Sequence, residues 1–277
     1  MSSQDQAQPG AVGVFSRAAP IYDRVGPRFF THFGRRLVEL AQIAPGSEVL
    51  DVAAGRGAVL FPAVERVGPG GSVVGIDLSA EMVRETALEL HNLGCQNGEM
   101  RQMDADHLDF PDGCFDRVLC GFALWFFPQP HSTLQELHRI LRPSGRVGLS
   151  TWTEDHPFIT WFGRELAAVL PPEESGRGNR PGGVRFDTPE KLETALRQAG
   201  FEGVQVSIEE GDFVYADEEE WWSSVWSHGI RQRLEGLEDS VLAEVKVNML
   251  QRVQSLKQSD GIHNVYRALF ALGQKPG

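Results

Sequence analysis

The sequence predicts an α/β fold in which helices cover both faces of a doubly wound parallel sheet. Two observations lead to this fold class. Short apolar stretches alternate with helical patterns at close intervals through residues 27–152. Glycine and proline clusters, such as Pro45-Gly46 and residues 68–71, separate one stretch from the next. Because parallel strands need crossover connections, this alternation indicates a parallel sheet.

The first half of the chain supplies five predicted strands and the helices between them. Its first helical pattern repeats apolar residues such as Phe29, Phe33 and Leu37 at spacings of three and four. Ser79 has the residue type of a helix N-cap. In order, we expect a helix at 27–44, a strand at 48–52, a helix ending near 67, a strand at 72–76, a helix from 79 to 94, a weak strand at 99–103, a strand at 116–120, a helix at 132–141 that is ended by residues 142–145, and a strand at 146–152.

The second half is less regular. Thr188, Pro189 and Gly200 are typical of the start and end of a helix, and the acidic residues 217–220 are favourable at a helix N-terminus. Residues 171–183 are rich in proline, glycine, arginine and glutamate, so we expect a mobile loop there. The other expected elements are helices at 158–170 and 188–200, a strand at 203–215, a tryptophan-rich and then helical stretch at 217–260 and a final strand at 266–272.

The composition is that of an ordinary soluble globular protein. The 277 residues include 41% hydrophobic and 23% charged residues. With 26 Lys and Arg against 38 Asp and Glu, the formal charge is −12, and the isoelectric point is near 5.1. Basic residues come singly or in pairs such as Arg35-Arg36. Because phosphate groups are repelled by such a charge, we expect no nucleic-acid partner.

The cysteines and the first residues predict a cytoplasmic protein. Cys95, Cys114 and Cys120 are odd in number and lack metal-site spacing, which favours a reducing compartment. The first ten residues hold no apolar segment of the kind found in a secretory signal. The longest apolar run, 120–127, is far shorter than the roughly 20 residues of a membrane-spanning helix. The oligomeric state cannot be read from the sequence.

A glycine-rich turn follows the first predicted strand and opens a helix. It contains Asp51, Ala53, Gly55 and Gly57. Glycines let the backbone approach a ligand closely, and the helix N-terminus presents unpaired N–H groups. The alternative is that the glycine pair only makes a tight turn, so this motif alone does not decide between a site and a turn.

Acidic residues follow the next two predicted strands. Asp77 lies about 20 residues beyond Gly57, where a carboxylate can accept hydrogen bonds from both ribose hydroxyls. Its alternative role is to cap the following helix. Asp104 can accept a hydrogen bond from the exocyclic amine of adenine, and the backbone N–H of Ala105 can donate one to a ring nitrogen. Taken alone, the two residues are an ordinary surface pair. These strand ends meet at one edge of the sheet, which favours a nucleoside ligand.

Taken in order, these motifs resemble the class I S-adenosylmethionine-dependent methyltransferases. The nearest branch acts on small molecules and includes the ubiquinone and menaquinone biosynthesis type. The resemblance covers residues 14–152 and adds Tyr22, because a tyrosine at that place often lies over the cofactor in that branch. The matching segments are 18–23 (AAPIYD), 49–57 (VLDVAAGRG), 75–79 (GIDLS), 103–105 (MDA), 115–118 (FDRV) and 141–146 (LRPSGR).

The resemblance implies a Rossmann-like sheet of seven strands, the last antiparallel, capped by helical insertions at about 153–187 and 217–260. Residues 1–13 are then a flexible tail. Residues 14–277 form one methyltransferase domain, with a cofactor-binding half at about 14–152 and an acceptor and cap half at about 153–277. The implied activity is methyl transfer from S-adenosyl-L-methionine to oxygen or carbon of a small, apolar or aromatic metabolite.

The resemblance also assigns roles to residues. Asp51 and the glycine-rich turn frame the methionine end, while Asp77 holds the ribose. Ala53 and Met103 depart from the family, which usually has glycine at both places, but neither change removes a charged contact. The implied cofactor-binding residues are Tyr22, Asp51, Ala53, Gly55, Gly57, Asp77, Leu78, Met82, Asp104, Ala105, Cys120 and Phe122, with Gly121 beside the last two.

Two alternatives stay open. A nicotinamide-dependent oxidoreductase also has a glycine-rich turn, but here the third glycine of its motif is replaced by Leu60. The acid at Asp51 suits an ammonium and a sulfonium better than two phosphates. The second alternative is a catalytically silent protein that binds S-adenosylmethionine or another ligand, because no catalytic base is evident.

The acceptor pocket is expected to be aromatic. Aromatic residues follow the later predicted strands, where acceptors bind in this fold. The alternative is that they form the core of a helical subdomain. The candidate acceptor-binding residues are Trp125, Trp152, Trp161, Trp222 and Trp226.

The catalytic base, if the reaction needs one, is not identified by a pattern. His131, His156 and His228 are candidates near the expected site, with Glu154 and Asp155. A lone histidine is more often an ordinary surface or core residue. The histidines are scattered without ligand spacing, so no metal is expected.

Overall fold

The computed structural model describes residues 11–169 and 185–277, and one mixed β-sheet lies at its centre. The strands are β1 (Glu48–Val52), β2 (Ser72–Asp77), β3 (Gly98–Gln102), β4 (Phe115–Gly121), β5 (Leu141–Trp152), β6 (Glu202–Tyr215), β7 (Lys257–Gln258) and β8 (Gly261–Gln274). Seven of them follow the order β3-β2-β1-β4-β5-β8-β6, and β7 pairs only with β8. The strands from β3 to β5 are mutually parallel, whereas β8 is antiparallel to both neighbours. The predicted doubly wound sheet with its last strand antiparallel is confirmed.

Helices connect the strands and cover the sheet. They are α1 (Ala11–Ala18), α2 (Phe29–Leu40), α3 (Leu60–Val67), α4 (Ala80–Asn92), α5 (Pro130–Ile140), α6 (Pro157–Val169), α7 (Pro189–Gln198), α8 (Glu218–Val225), α9 (Arg231–Leu234) and α10 (Asp239–Gln254). The predicted N-caps are confirmed, since the side chain of Ser79 accepts the N–H of Met82 and that of Thr188 accepts the N–H of Lys191. Asp217 caps α8 in the same way.

The hydrophobic core has two parts, one on each face of the sheet. In β1, Val49 belongs to the part that includes α2, α3 and the cap helices, and Leu50 belongs to the part that includes α5 and α7. In β4, likewise, Leu119 belongs to the first part and Cys120 belongs to the second. Successive strand residues point to opposite faces, so every central strand is buried on both sides.

The predicted helical insertions lie after β5 and β6. From the first insertion, α6 packs on α10, and α10 also packs on α8. These helices form the cap, which we define as α6 together with α8, α9 and α10. Residues 171–183, which the sequence predicts to be a mobile loop, lie outside the described residues.

Three boundaries differ from the prediction. Helix α1 begins at Ala11, so residues 11–13 are helical although they were expected in the tail. Strand β5 begins at Leu141, so residues 142–145, which were expected only to end the preceding helix, belong to an irregular strand start. These residues bulge between the pairs Phe115–Leu141 and Arg117–Arg146, and Ser144 has a left-handed backbone there, with φ 64°. Strand β8 extends well beyond 266–272 because it pairs along its length with β6.

No helix within residues 11–169 and 185–277 combines the length and apolar character needed to cross a membrane.

Candidate functional site

The strand order reverses between β1 and β4, and a crevice opens there at the carboxyl ends of the parallel strands. Two cavities occupy it, of about 230 and 190 Å³. We call them the Asp51 cavity and the Asp77 cavity after one lining residue of each. They adjoin, because both are lined by Tyr22, Ala53, Gly55, Gly121 and Phe122.

The turn after β1 lies where the two cavities adjoin, and its residues Ala53 and Gly55 line both of them. Ala53 and Gly55 both have left-handed backbones, with φ of 54° and 51°. A side chain at position 55 would meet no atom within 4 Å, which shows that Gly55 faces open space. Ala53 keeps the conformation in spite of its Cβ, at a cost of roughly 1 kcal/mol. The departure from the family glycine therefore leaves the turn geometry intact.

Asp51 is a buried acid without a counterion. It is 1% exposed, and neither of its carboxylate oxygens has a hydrogen-bond partner among the described residues. Burial raises the pKa of Asp51 well above its ordinary value, and the negative charge of Asp77 adds to this. An unpartnered buried acid is costly unless a ligand supplies donors. Asp51 is thus suited to a cationic group of a ligand in the Asp51 cavity.

Asp77 joins the glycine-rich turn to the start of α4. One carboxylate oxygen accepts the N–H of Gly55 at 2.9 Å, and the other accepts the N–H of Ser79 at 2.9 Å. Burial raises the pKa of Asp77, although these two N–H groups oppose the shift. Each oxygen can accept a second hydrogen bond. Asp77 thus fixes the start of α4 and also lines the Asp77 cavity, so the two predicted roles are compatible.

The far end of the Asp77 cavity has the predicted lining. Leu78, Met82, Asp104 and Ala105 all line it. Asp104 is exposed, and one of its oxygens accepts the N–H of Asp106 at 3.0 Å. Apolar side chains on the walls and an acid at the edge suit a flat heterocycle such as adenine.

Tyr22 and α1 cover the crevice. The Tyr22 ring stacks on Phe30 with centroids 5.3 Å apart, and Phe15 of α1 packs edge-on against Tyr22 at 5.9 Å. Val12 and Phe15 line the Asp77 cavity. The sequence analysis assigned neither of them to the site, although their apolar character at three-residue spacing, in a short amphipathic helix, was a usable signal.

The end of β4 requires a correction. Phe122 and Gly121 line both cavities, but Cys120 lines neither of them. Its side chain points to the opposite face of the sheet, among residues that pack with α5 and α7. Burial raises the pKa of the Cys120 thiol to about 12. Strand alternation puts Cys120 on the face opposite to Leu119. Phe122 follows the end of β4 with a left-handed backbone, φ 56°, and this turn of the chain brings it to the crevice although it is two residues from Cys120.

The tryptophans also require a correction. Among the described residues that line the two cavities, there is no tryptophan. Trp152 lies behind the wall, with its ring centroid 4.1 Å from that of Phe122, and the indole N–H of Trp125 donates to the carbonyl of Phe122 at 3.3 Å. Trp161 packs on Trp221 inside the cap, and Trp222 packs on Trp226. Trp152 and Trp222 are buried in the core, and Trp125, Trp161 and Trp226 are half-buried against it, so none of the five candidates forms a wall of the two cavities.

The candidate histidines do not reach the cavities. His131 is exposed on α5, and neither His156 nor His228 is among the described residues that line the crevice. Burial lowers the pKa of both His156 and His228 to about 4, so both are neutral near pH 7. Glu154 and Asp155 are exposed, and Asp155 pairs with Arg267. These positions give no support to a catalytic base among them.

Helix α2 contributes site residues that the sequence analysis missed. Phe30, Thr31 and Gly34 line the Asp51 cavity, together with Asp23 from the preceding turn. A side chain at position 34 would lie 2.2 Å from the carbonyl oxygen of Ala58, so only glycine lets α2 approach the turn after β1 this closely. The helical pattern of α2 predicted a core face, but not which residues face a cavity.

The residues of the crevice fit S-adenosylmethionine. The unpartnered acid Asp51 matches an α-ammonium, and the partly satisfied acid Asp77 matches ribose hydroxyls. Leu78 and Met82 offer apolar surfaces to adenine. When bound, the cofactor supplies an electrophilic methyl group on a sulfonium.

Comparisons with known proteins agree with this geometry. A family model described as a methyltransferase domain matches residues 49–145. The chain is 34% identical to nocamycin O-methyltransferase of Saccharothrix syringae over 273 residues, which cover 94% of this chain and 97% of that protein. It is 39% identical to aklanonic acid methyltransferase DauC of Streptomyces sp. strain C5 over 137 residues, covering 50% of this chain and 62% of that protein.

A solved structure shows the same fold. Phosphoethanolamine N-methyltransferase 2 of Haemonchus contortus, solved with phosphomonomethylethanolamine and S-adenosylhomocysteine, superposes with a TM-score of 0.61 at 16% identity. The match covers 99% of this chain and 59% of that one. Neither the oxidoreductase nor the silent ligand-binding alternative is favoured by these matches. Similarity to a methyltransferase over nearly the full length of both chains, together with the matching domain and crevice, shows that this chain belongs to the S-adenosylmethionine-dependent methyltransferases.

Proposed function

We propose that the enzyme O-methylates a small, apolar or aromatic metabolite whose reacting oxygen enters the Asp51 cavity beside Tyr22, Phe30 and Phe122. The observation that carries this proposal is the pair of adjoining cavities, which differ in chemistry. The Asp77 cavity has the acids and apolar walls that suit a nucleoside. The Asp51 cavity continues past the shared turn to aromatic side chains of α2 and β4.

In this proposal, Asp51 binds the α-ammonium of the cofactor, and Gly55 and Gly57 let its methionine part approach the backbone. Asp77 binds the ribose hydroxyls. Asp104 and Ala105 bind the edge of adenine, and Leu78 and Met82 contact its faces. Methyl transfer is an in-line displacement, so holding the two reactants in contact supplies a large part of the rate.

The acceptor class is supported by the lining and by the relatives. Three aromatic rings, of Tyr22, Phe30 and Phe122, border the place where the cavities meet. Such rings favour flat apolar molecules. The names of two relatives, nocamycin O-methyltransferase and aklanonic acid methyltransferase, describe enzymes of small metabolites. The cytoplasmic location and the lack of a nucleic-acid partner stay predictions from the sequence.

Calorimetry and turnover test the function. S-adenosylhomocysteine should bind to the purified protein, and NAD should give no heat at concentrations where S-adenosylhomocysteine saturates the site. Incubation with S-adenosylmethionine labelled in its methyl group and a metabolite extract should transfer the label to a small product. Mass spectrometry and hydrolysis of that product would show whether the methyl group lies on oxygen. If the protein bound S-adenosylhomocysteine but transferred no labelled methyl group in any of several metabolite extracts, an enzymatic role would be contradicted.

A further inference from the structure

The carboxyl group of Asp23 has one anchored and one unpartnered oxygen. Its Oδ2 accepts the N–H of Thr31 at 2.9 Å and the hydroxyl of Thr31 at 2.6 Å. Its Oδ1 is buried and has no hydrogen-bond partner among the described residues. Asp23 is only 8% exposed and lines the Asp51 cavity. The anchor fixes the orientation of the carboxyl group, which leaves Oδ1 available to a donor from a ligand.

The backbone of Asp23 is held in an unfavourable conformation. Its φ is 53°, in the left-handed region that residues other than glycine seldom adopt. The cost is partly offset because Asp23 accepts the N–H of Thr31 in the first turn of α2. That bond could be made equally well by asparagine, which is also a good helix cap. Binding to the first turn of α2 therefore explains the hydrogen bonds of Oδ2. It does not explain why the buried residue is an acid or why its Oδ1 has no partner among the described residues.

Asp23 and Asp51 line the same cavity from different elements. Asp51 belongs to β1, next to the glycine-rich turn, whereas Asp23 precedes α2 and is hydrogen-bonded to Thr31 of that helix. Burial raises the pKa of Tyr22, and the charge of Asp23 adds to that shift. Burial is also the main reason why the pKa of Tyr266 is raised, with smaller contributions from Tyr215 and Asp23. The acid that the proposed function assigns to the cofactor, Asp51, is therefore a different residue from the acid that α2 holds in place, Asp23.

The other ionisable groups are less suited to accept a proton. Glu89 is paired with both Arg24 and Arg56. Burial raises the pKa of Asp23 to about 6, and the hydrogen bonds from Thr31, the backbone N–H of Phe30 and the charge of Arg28 limit that shift. A base whose pKa lies near the working pH is effective. The charged residues that line the same cavity are Arg24, Arg28, Arg35, Arg56, Asp51 and Glu89.

We propose that Asp23 is the general base that removes the proton from a hydroxyl group of the acceptor. This inference rests on the proposed function. The proton moves to Oδ1 of Asp23 while the acceptor oxygen bonds to the methyl carbon. The carbon–sulfur bond breaks, and its electron pair goes to sulfur. The products are a methyl ether, S-adenosylhomocysteine and one proton, which Asp23 later releases to water.

The proposal selects a class of acceptor. A carboxylate base can deprotonate an acidic hydroxyl, such as that of a phenol or an enol, far more readily than that of a simple alcohol. A carboxylic acid acceptor is already ionised near neutral pH and needs no base. The expected acceptor is therefore an aromatic or conjugated molecule with an acidic hydroxyl group, in agreement with the ring-lined entrance at Tyr22, Phe30 and Phe122.

The first experiment uses three probe acceptors, namely 2-naphthol, 4-hydroxycoumarin and 2-naphthoic acid. We expect methylation of the phenol or the enol and none of the acid. Asp23→Asn should lower kcat with the accepted probe by about 100-fold or more, with KM little changed. Asp23→Glu should restore part of the rate. S-adenosylhomocysteine should bind to both variants within about threefold of wild type, because the proposed function assigns the polar contacts of the cofactor to Asp51 and Asp77 and none to Asp23.

The pH dependence separates catalysis from a structural role. For wild type, kcat/KM should rise with pH and level off above about pH 6, as Asp23 ionises. Thr31→Val, the matched control, removes a hydrogen bond that stabilises the ionised carboxylate, so the inflection should move to higher pH. Carbon-13 NMR of protein labelled at the aspartate side-chain carboxyl should show the same displaced titration without any acceptor, and Asp23→Asn identifies the resonance.

Several results would overturn the proposal. Asp23→Asn activity within about threefold of wild type would leave Asp23 as a helix cap only, and a change in KM alone would make it a binding residue. An unmoved inflection in Thr31→Val would exclude Asp23 as its source. Methylation of 2-naphthoic acid alone, or of none of the three probes, by protein that binds S-adenosylhomocysteine would exclude the hydroxyl class. The proposed function itself fails only if S-adenosylhomocysteine does not bind or no extract yields a methylated product.

Discussion

The cofactor end of the crevice and the helical cap both contain residues singled out from the sequence, yet the two sets occupy different places in the structure. At the cofactor end, Asp51, Gly55 and Asp77 line the cavities as expected. In the cap, Trp161 packs on Trp221 of another helix, Trp222 packs on Trp226 at the end of its own helix, and all three are absent from the described cavity walls. The first set belongs to strand–turn–helix segments, and the second belongs to helices whose orientation depends on distant partners.

The difference shows which sequence patterns predict where a side chain lies in the fold. A residue directly after a parallel strand must lie at the carboxyl edge of the sheet, whatever the rest of the chain does. A tryptophan on a helix can face either a cavity or a neighbouring helix, and both arrangements bury it. The four predictions below test this contrast.

The largest effect is expected in the cap. Trp221 is fully buried between Phe158 and Trp161. Trp221→Ala should lower the free energy of unfolding by about 3–5 kcal/mol, as measured by urea denaturation. Trp226→Ala, the half-buried control, should lower it by roughly 1 kcal/mol. If Trp222→Ala or Trp226→Ala raised the acceptor KM and left stability unchanged, the cap tryptophans would be acceptor contacts after all.

The next largest effect is expected at the ribose position. Asp77→Ala removes charge-assisted hydrogen bonds worth roughly 1.5–3 kcal/mol each, so S-adenosylhomocysteine should bind about tenfold more weakly or worse. Asp104→Ala is the control, because Asp104 is exposed and its loss should weaken binding by only about threefold. Calorimetry with equal affinities for wild type and Asp77→Ala would contradict the ribose role.

A smaller effect of opposite sign is expected at Asp23. Its pKa is raised by burial from 3.8 to about 6 in the folded state, so stability is lost as the pH rises from about 4 through 6. Asp23→Asn should therefore stabilise the protein at about pH 7.5, by roughly 1–3 kcal/mol, and bring little gain at about pH 4. Thermal melts of both proteins at the two pH values provide the measurement. A destabilised variant at neutral pH would show that capping by the charged form outweighs its burial.

The smallest effect is expected at the far end of the sheet. His263 Nδ1 lies 2.6 Å from Asp212 and Nε2 lies 3.0 Å from Asp260. Hydrogen bonds to Asp260 and then to Asp212 raise the pKa of His263. The stabilisation is complete below the ordinary histidine pKa of about 6.5 and disappears as the pH rises through the folded-state value. His263→Gln should thus lower Tm slightly at about pH 5.5 and hardly at about pH 8.5, with added salt reducing the difference.

The fold was accessible from the sequence because its signals are local. The strand at Glu48–Val52 and the caps Ser79 and Thr188 follow from apolar runs and single polar residues. The errors occur where pairing or packing overrides the local signal. Residues 142–145 contain proline, serine and glycine and still form part of β5, because Leu141 pairs with Phe115. Val12 and Phe15 form one side of a short helix whose partner, the crevice, is distant in sequence.

By itself, the sequence determined the parallel sheet, the crevice at its carboxyl edge and the residues after β1, β2 and β3 that face it. These features follow from the common direction of the parallel strands and from the alternation of strands and helices along the chain. Short segments of sequence encode both. Only the tertiary structure decided that Cys120 turns away from the crevice while Phe122 enters it, that the candidate tryptophans lie outside the walls of the two cavities, and that Asp23 has a buried oxygen without a partner among the described residues. Each of these depends on neighbours brought close by packing across the sheet, and no local pattern specifies which of two buried environments a side chain will occupy.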